Sequence, residues 1–305
     1  VRLFAVDEAH CISSWGHSFR PEYKQLSVLK KRFPTVPVIA LTATADRTVR
    51  SEIGTHLGLH EPRVFISSFD RPNLSLAVLP GQDRWKAIER IMGRHVGKCG
   101  IIYCNSRAGT EKLAAKLQGI GIKAAFYHAK LDPLERSKVQ DDFIQGKLHV
   151  ICATIAFGMG IDKSDVRFVI HYNLPGTVEG YYQEIGRAGR DGKPAETILF
   201  YSYADVQTHM HFAEEIEDPR YKEVIIAKLD RMKEYAEAQV CRRTILLSYF
   251  SESTVEACGN CDVCKDPPKY FDGTVLAQKA LSAVVRSKEQ LSMSVLVDVL
   301  KGTRS

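Results

Sequence analysis

The sequence predicts an α/β protein with two parallel sheets, the first one partial, followed by a helical unit that carries a cysteine cluster. Three observations lead there. From residue 100 onward, short apolar runs alternate with amphipathic stretches, the pattern of βαβ units joined by right-handed crossovers. Two earlier apolar runs, residues 3–6 and 36–41, flank a helix-like stretch over residues 23–32 and read as the tail of another sheet. After residue 203 the strand signal fades, and residues 221–250 carry apolar side chains at three- and four-residue steps, which is the helical period.

Taken in order, the elements have local reasons. The polar, proline-containing Phe69-Asp70-Arg71-Pro72-Asn73 marks the boundary between the two sheets. Residues 100–104, 124–128, 148–154, 166–172 and 197–201 supply the strands of the second sheet, with helices over 110–119 and 132–143. The second of these helices opens on Asp132-Pro133, an N-cap carboxylate followed by proline at the first helical position, with Glu135 at capping-box spacing. Pro267-Pro268 punctuates the chain again, and residues 274–286 and 292–300 follow as two short amphipathic segments.

Composition agrees with a folded protein. The chain has 305 residues, 45% hydrophobic and 26% charged, far from the composition of disordered chains. Its length suits two domains plus appendages at roughly 150 residues per domain. A formal net charge of +6 permits an anionic partner without demanding one. No apolar run approaches the ~18 residues of a membrane span and no secretory h-region opens the chain, so a cytoplasmic protein with no membrane partner is expected. The first residue, Val1, falls just before what reads as a strand in mid-domain, as in a piece of a longer protein.

Four groupings could carry chemistry. Asp7-Glu8-Ala9-His10 directly follows an apolar strand, which sets two carboxylates at the carboxyl edge of a sheet, where α/β proteins bind ligands. In a nucleoside triphosphatase, Asp7 would hold Mg²⁺ and Glu8 would polarise the attacking water; an isolated pair of this kind is more often a solvated turn. Gln183-Glu184-Ile185-Gly186-Arg187-Ala188-Gly189-Arg190 sets two guanidiniums three residues apart, on one face if the helix from Val178 continues that far. Such a pair suits bidentate contact with phosphate, and the competing reading is a surface ion-pair cluster with Glu184 and Asp191. Trp15, Phe19 and Tyr23 recur every four residues, a spacing that fits core packing, or a base-stacking loop with Arg20 since Ser13, Ser14 and Gly16 make a poor helix interior.

The fourth grouping is Cys258-Gly259-Asn260-Cys261-Asp262-Val263-Cys264 with Cys241 upstream. Four thiolates fill a tetrahedral shell and leave no open position, so Zn²⁺ bound there would be structural. An iron–sulfur cluster is the runner-up, disfavoured because Lys265-Asp266-Pro267-Pro268 follows Cys264 in place of the C-x₃-C-P continuation. Cys11, Cys99, Cys104 and Cys152 are scattered and read as reduced and inert.

In these residues the chain resembles the RecQ family of superfamily-two DNA helicases, of bacterial type. The resemblance runs nearly end to end. It is carried by the stretch from Val6-Asp7-Glu8-Ala9-His10 to Trp15-Gly16-His17, Leu41-Thr42-Ala43-Thr44, Phe69 to Asn73, Ile102-Tyr103-Cys104-Asn105-Ser106-Arg107, Ala156-Phe157-Gly158-Met159-Gly160-Ile161-Asp162, Tyr181-Tyr182-Gln183-Glu184 and Gly186 to Gly192. It implies two RecA-like lobes, the first partial (1–70) and the second over 71–205, then a helical zinc-binding subdomain (206–268) and the start of a truncated winged helix (269–305).

By the same resemblance, Asp7 and Glu8 are the Mg²⁺ and water-activating carboxylates, with Gln183 also in the catalytic set, and His10, Thr42 and Thr44 couple nucleotide state to DNA grip. Trp15, Phe19 and Arg20 belong to an aromatic-rich DNA loop, with Arg107 and Thr154 near the single strand. Gly160, Asp162, Arg187 and Arg190 face ATP from the second lobe, Arg190 being the expected finger. The implied activity is ATP-driven 3′ to 5′ translocation that separates duplex DNA in recombination and repair; the alternative is a non-catalytic nucleic-acid-binding module. Four positions depart from the family pattern: Ser18, Leu76, Lys130 and Ile185. No Gly-rich loop ending in Lys-Ser/Thr occurs in the 305 residues, so this stretch alone is not expected to hydrolyse ATP.

Overall fold

The structure is a computed structural model that describes residues 1–13, 20–158, 161–253, 256–269, 271–287 and 292–303. It falls into two units, Val1–Asp266 and Pro267–Ser305. In the first, β1 (Phe4–Val6) pairs in parallel with β2 (Val38–Ala40), Val6 opposite Ala40. The stretch expected as one helix between them is a 3-10 run, Pro21–Ser27, followed by the short α1 (Val28–Arg32). Neither piece has a fully buried residue, so no continuous apolar stripe enforces the α-helical period there. Helix α2 (Arg47–His56) starts on the Asp46 carboxylate, which accepts from the Val49 amide at 2.8 Å. Its Val49 and Ile53 pack on Val6, Ala9 and Ile12 to make a small core of their own.

The second sheet has six strands, all parallel: β3 (Leu74–Pro80), β4 (Cys99–Tyr103), β5 (Ala124–Tyr127), β6 (Val150–Ala153), β7 (Val166–His171) and β8 (Ala195–Tyr201), in the order β3-β8-β7-β4-β6-β5. Helices α3 (Arg84–Arg94) and α4 (Arg107–Gly119) cover one face. On the other face lie α5 (Pro133–Ile144), α6 (Val178–Ile185) and helices of the segment that follows β8. Ile101 and Tyr103 point to one core and Ile102 and Cys104 to the other, so the central strands read as unbroken apolar runs rather than alternating ones. The Asp132 carboxylate caps α5 by accepting from the Leu134 amide at 2.8 Å, with Pro133 at the first position.

Strand β3 and helix α3 lie outside the elements that the sequence announces. The strand begins one residue past the Phe69–Asn73 boundary and forms an edge, which leaves less of an apolar signature than a central strand. Leu76, a departure from the family pattern, is 3% exposed in its core, and Ile185, another, is buried in the same one. Lys130 is exposed in the turn before α5, and Ser18 lies outside the described residues.

After β8 come α7 (Tyr203–Glu214), α8 (Pro219–Glu237), α9 (Arg242–Tyr249) and the one-turn α10 (Asp262–Lys265). The helical stretch expected over 221–250 is therefore two helices. The chain turns extended at Ala238, and the Arg242 guanidinium takes the Tyr235 and Ala236 carbonyls that α8 leaves unpaired. In the second unit α11 (Thr274–Arg286) and α12 (Met293–Leu300) pack on each other, α12 capped by the Ser292 hydroxyl.

Candidate active site and metal centre

Chain direction reverses sharply where β1 ends. Glu8 adopts φ 48° and ψ 40°, a left-handed conformation that costs a non-glycine residue roughly 1 kcal/mol or more and is found at functional sites. Its amide donates to the Asp7 carboxylate at 2.8 Å, and its own carboxylate lies 3.3 Å from His10 Nδ1. That ring nitrogen is also 2.9 Å from the Thr42 hydroxyl, which accepts from the Thr44 amide at 3.3 Å. Asp7, Glu8, His10, Thr42 and Thr44, named from sequence, are thus one connected group at the carboxyl edge of the first sheet. The Thr44 hydroxyl is buried without a partner among the described residues.

The Glu8 carboxyl is raised above its ordinary range by burial and by the Asp7 charge, while Arg187 and Arg20 pull it back. Arg187 comes from the second sheet domain, so the acidic edge of one sheet and a guanidinium of the other act on each other. A raised carboxyl suits a group that must take a proton from water. Arg20 shares this neighbourhood and its amide donates to the Cys11 carbonyl. Trp15, Phe19 and Gly160, expected at the DNA loop and the nucleotide, lie outside the described residues.

The arginine pair is not on one helical face. Helix α6 ends at Ile185 with Gly186 as its cap, and Gly189, at φ 58°, turns the chain away. Arg187 is buried, and its Nη1 donates to the Gly158 carbonyl. A Cβ at residue 158 would come within 2.3 Å of Arg187 Nη2, so glycine there is what lets the guanidinium lie against the backbone. Its Nε is buried without a partner among the described residues, a donor set that fits an anionic ligand such as a phosphate. Arg190 instead reaches the Ile161 carbonyl at 3.1 Å and the exposed Asp162 carboxylate at 3.2 Å. Gln183 is half-buried on α6. Arg107, exposed at the start of α4, and Thr154, just past β6, lie at the carboxyl ends of the neighbouring strands β4 and β6.

The sequence reading missed two residues that hold this loop in place. Arg71 donates to the carbonyls of Gly186, Ala188 and Gly189, and the Asn73 amide donates to those of Gly189 and Lys193. Both were visible in the Phe69–Asn73 motif, but nothing in that motif said what they would touch.

Cys241, Cys258, Cys261 and Cys264 bring their sulfurs within 4.8 Å of one another. A tetrahedron with Zn–S bonds of about 2.3 Å has edges of about 3.8 Å, and Cys258 Sγ and Cys264 Sγ stand 3.9 Å apart. Amides of Cys258, Asn260 and Cys264 each point at a sulfur at 3.4 Å, as thiolates require. All four fit structural Zn²⁺. The cluster lies on the edge strand: Cys261 bridges Leu76, the Val78 amide donates to Asp262, and Arg243 and Asn260 donate to the Leu74 carbonyl. Cys11, Cys99, Cys104 and Cys152 are buried free thiols. Burial pushes the Cys104 thiol up to about 12 and raises the other three, which keeps them unreactive.

A six-stranded parallel lobe with an arginine loop at its edge is the build of a helicase motor lobe, and residues 83–192 match the family described as helicase conserved C-terminal domain. Residues 203–265 match the RecQ zinc-binding family and residues 267–305 the RQC domain. The ATP-dependent DNA helicase RecQ of Pasteurella multocida is 48% identical over 99% of this chain and 48% of its own length; that of Haemophilus influenzae is 47% identical over 99% and 49%. The chain belongs to the RecQ helicase family. It spans about half the length of these curated relatives. In fold it is similar to S. cerevisiae Dbp5 bound to RNA and ADP BeF3, with TM-score 0.57 and 20% identity over 75% of this chain and 63% of that one. Mycobacterium smegmatis helicase Lhr, bound to ssDNA and AMP-PNP, gives TM-score 0.54 and 20% identity over 79% and 39%. Among the described residues no helix is long and apolar enough to cross a membrane.

Proposed function

We propose that the full-length protein is an ATP-dependent DNA helicase that moves 3′ to 5′ along one strand and separates the duplex ahead, in recombination and repair in the cytoplasm. Residues 1–70 would close the first motor lobe, 71–205 form the second, 206–268 the zinc unit and 269–305 the start of a winged helix; the three matched families support this division. The observation that carries the reading is the joined group of Asp7, Glu8, His10 and Thr42 at the carboxyl edge of the first sheet, with Arg187 of the second among the charges that lower the Glu8 carboxyl.

When bound, ATP with Mg²⁺ supplies the transferable phosphoryl group. Asp7, exposed beside Glu8, would hold the ion. Glu8 orients a water and takes its proton, helped by a carboxyl that burial keeps basic. Arg187 and Arg190 place positive charge where negative charge develops, with Gly160, Asp162 and Gln183 at the nucleotide's margin. His10, Thr42 and Thr44 carry a shift of Glu8 to the segment after β2. Trp15, Phe19, Arg20, Arg107 and Thr154 would contact single-stranded DNA by stacking and phosphate pairing.

The test is DNA-stimulated phosphate release by the full-length protein and its Glu8→Gln variant. Loss of the base is expected to lower kcat by about 10²-fold or more with single-strand affinity unchanged. A variant that turns over at the parent's rate would overturn the assignment. A parent that binds DNA without releasing phosphate would leave the non-catalytic binding module as the reading.

A further inference from the structure

We propose that Arg71 is a positioning residue for the arginine loop, and that it acts as one end of a strap whose other end is fastened by the zinc-bearing helical unit. This rests on the helicase reading above. The loop from Gly186 to Gly192 leaves helix α6 behind and turns at Gly189 and Gly192, both with positive φ; its C-terminal half is tied to the sheet by the Gly189 and Asp191 amides, which donate to the Val166 and Ser164 carbonyls, and by Arg167 on Asp191. The Arg71 guanidinium adds a hold on the stretch from Gly186 to Gly189. It donates to three carbonyls within four residues, those of Gly186 at 3.4 Å, Ala188 at 3.0 Å and Gly189 at 3.1 Å. A planar fork of donors at a helix C-terminus suits this, since the carbonyls there are unpaired and carry partial negative charge. Asn73 adds bonds of 2.9 Å to the Gly189 and Lys193 carbonyls.

The residues just before Arg71 are gripped from the other side. Glu252, after α9, accepts from the Ser68 hydroxyl and from the Phe69 amide at 2.8 Å. The Phe69 ring stacks on Phe250 with centroids 4.4 Å apart and planes 4° from parallel. Arg243 on α9, two residues past the ligand Cys241, pairs with the Asp70 carboxylate. Residues 68–73 therefore run taut between α9 and the loop that bears Arg187 and Arg190. Misplacing a catalytic group by about 1 Å can cost ~10²-fold in rate, so a strap of this kind matters for turnover while touching neither nucleotide nor metal.

The experiment is steady-state ATP hydrolysis by the full-length protein at saturating single-stranded DNA, with bound zinc, thermal midpoint and DNA affinity measured on each variant. Arg71→Ala is expected to lower kcat about tenfold with KM for ATP within twofold of the parent. Arg71→Lys, which keeps charge but not the fork, should recover part of that loss. Glu252→Ala, remote from the arginine loop, should lower kcat in the same direction by a smaller factor. If Arg71→Ala loses zinc or melts early, Glu252→Ala decides: a kcat deficit with zinc retained supports the strap, and a parental kcat overturns it. An Arg71→Ala variant with kcat unchanged, or with only KM raised, overturns it as well. A parent protein without turnover fails before any variant is compared, and that outcome overturns the helicase reading and the strap together.

Discussion

Arg187 lies where it does because residue 158 has no side chain. A Cβ there would stand 2.3 Å from Nη2 and 2.8 Å from Cζ, and the crowded atoms belong to the far end of a flexible side chain that can swing away. Gly158→Ala is therefore expected to change stability by less than about 1 kcal/mol yet to lower kcat for ATP hydrolysis about tenfold or more. A thermal melt beside a turnover assay checks both halves, and parental turnover would contradict the placement of Arg187. The acidic pair was legible in the sequence because it follows an apolar strand directly. The separate settings of the two arginines were not, since the three-residue spacing assumed a helix that stops at Ile185. Arg190, the expected finger, pairs with Asp162 and the Ile161 carbonyl, whereas Arg187 is buried against Gly158.

The zinc cluster and β3 depend on one another at the scale of elements. β3 is the edge of the six-stranded sheet, and its outward groups at Leu74, Leu76 and Val78 are met by Arg243, Asn260, Cys261 and Asp262. An uncovered edge is a template for aggregation. Cys261→Ser is expected to lower bound zinc measured by elemental analysis, to lower the thermal midpoint by on the order of 5 °C or more, and to raise light scattering on warming. Full zinc content in the variant would refute the four-cysteine site. The cysteine spacing made the metal site readable from sequence, whereas its docking surface was not. β3 is an edge strand beside a proline-containing boundary, and its partners lie in a segment roughly 180 residues further along the chain, a separation no local pattern encodes.

At the scale of the whole first unit, two parallel sheets bring opposite charges to a shared neighbourhood. Alternating apolar runs and amphipathic stretches made the second sheet legible through its central strands, which are buried on both faces. The seat of the linking segment on the second lobe was not legible, because it is set by the side chains of Asp70, Arg71 and Asn73 and by partners on α9 and after α6. Those contacts join places that are far apart in the chain and have no periodic signature. The central claim is that Glu8 and Arg187 act on one phosphoryl group. The most direct measurement is a crystal structure of the full-length protein with Mg²⁺ and a non-hydrolysable ATP analogue. The account predicts the Glu8 carboxylate and the Arg187 guanidinium on either side of the terminal phosphate, each within direct or single-water hydrogen-bond reach, roughly 2.6–3.2 Å per step. A nucleotide seated elsewhere, with those two side chains facing open solvent, would contradict it.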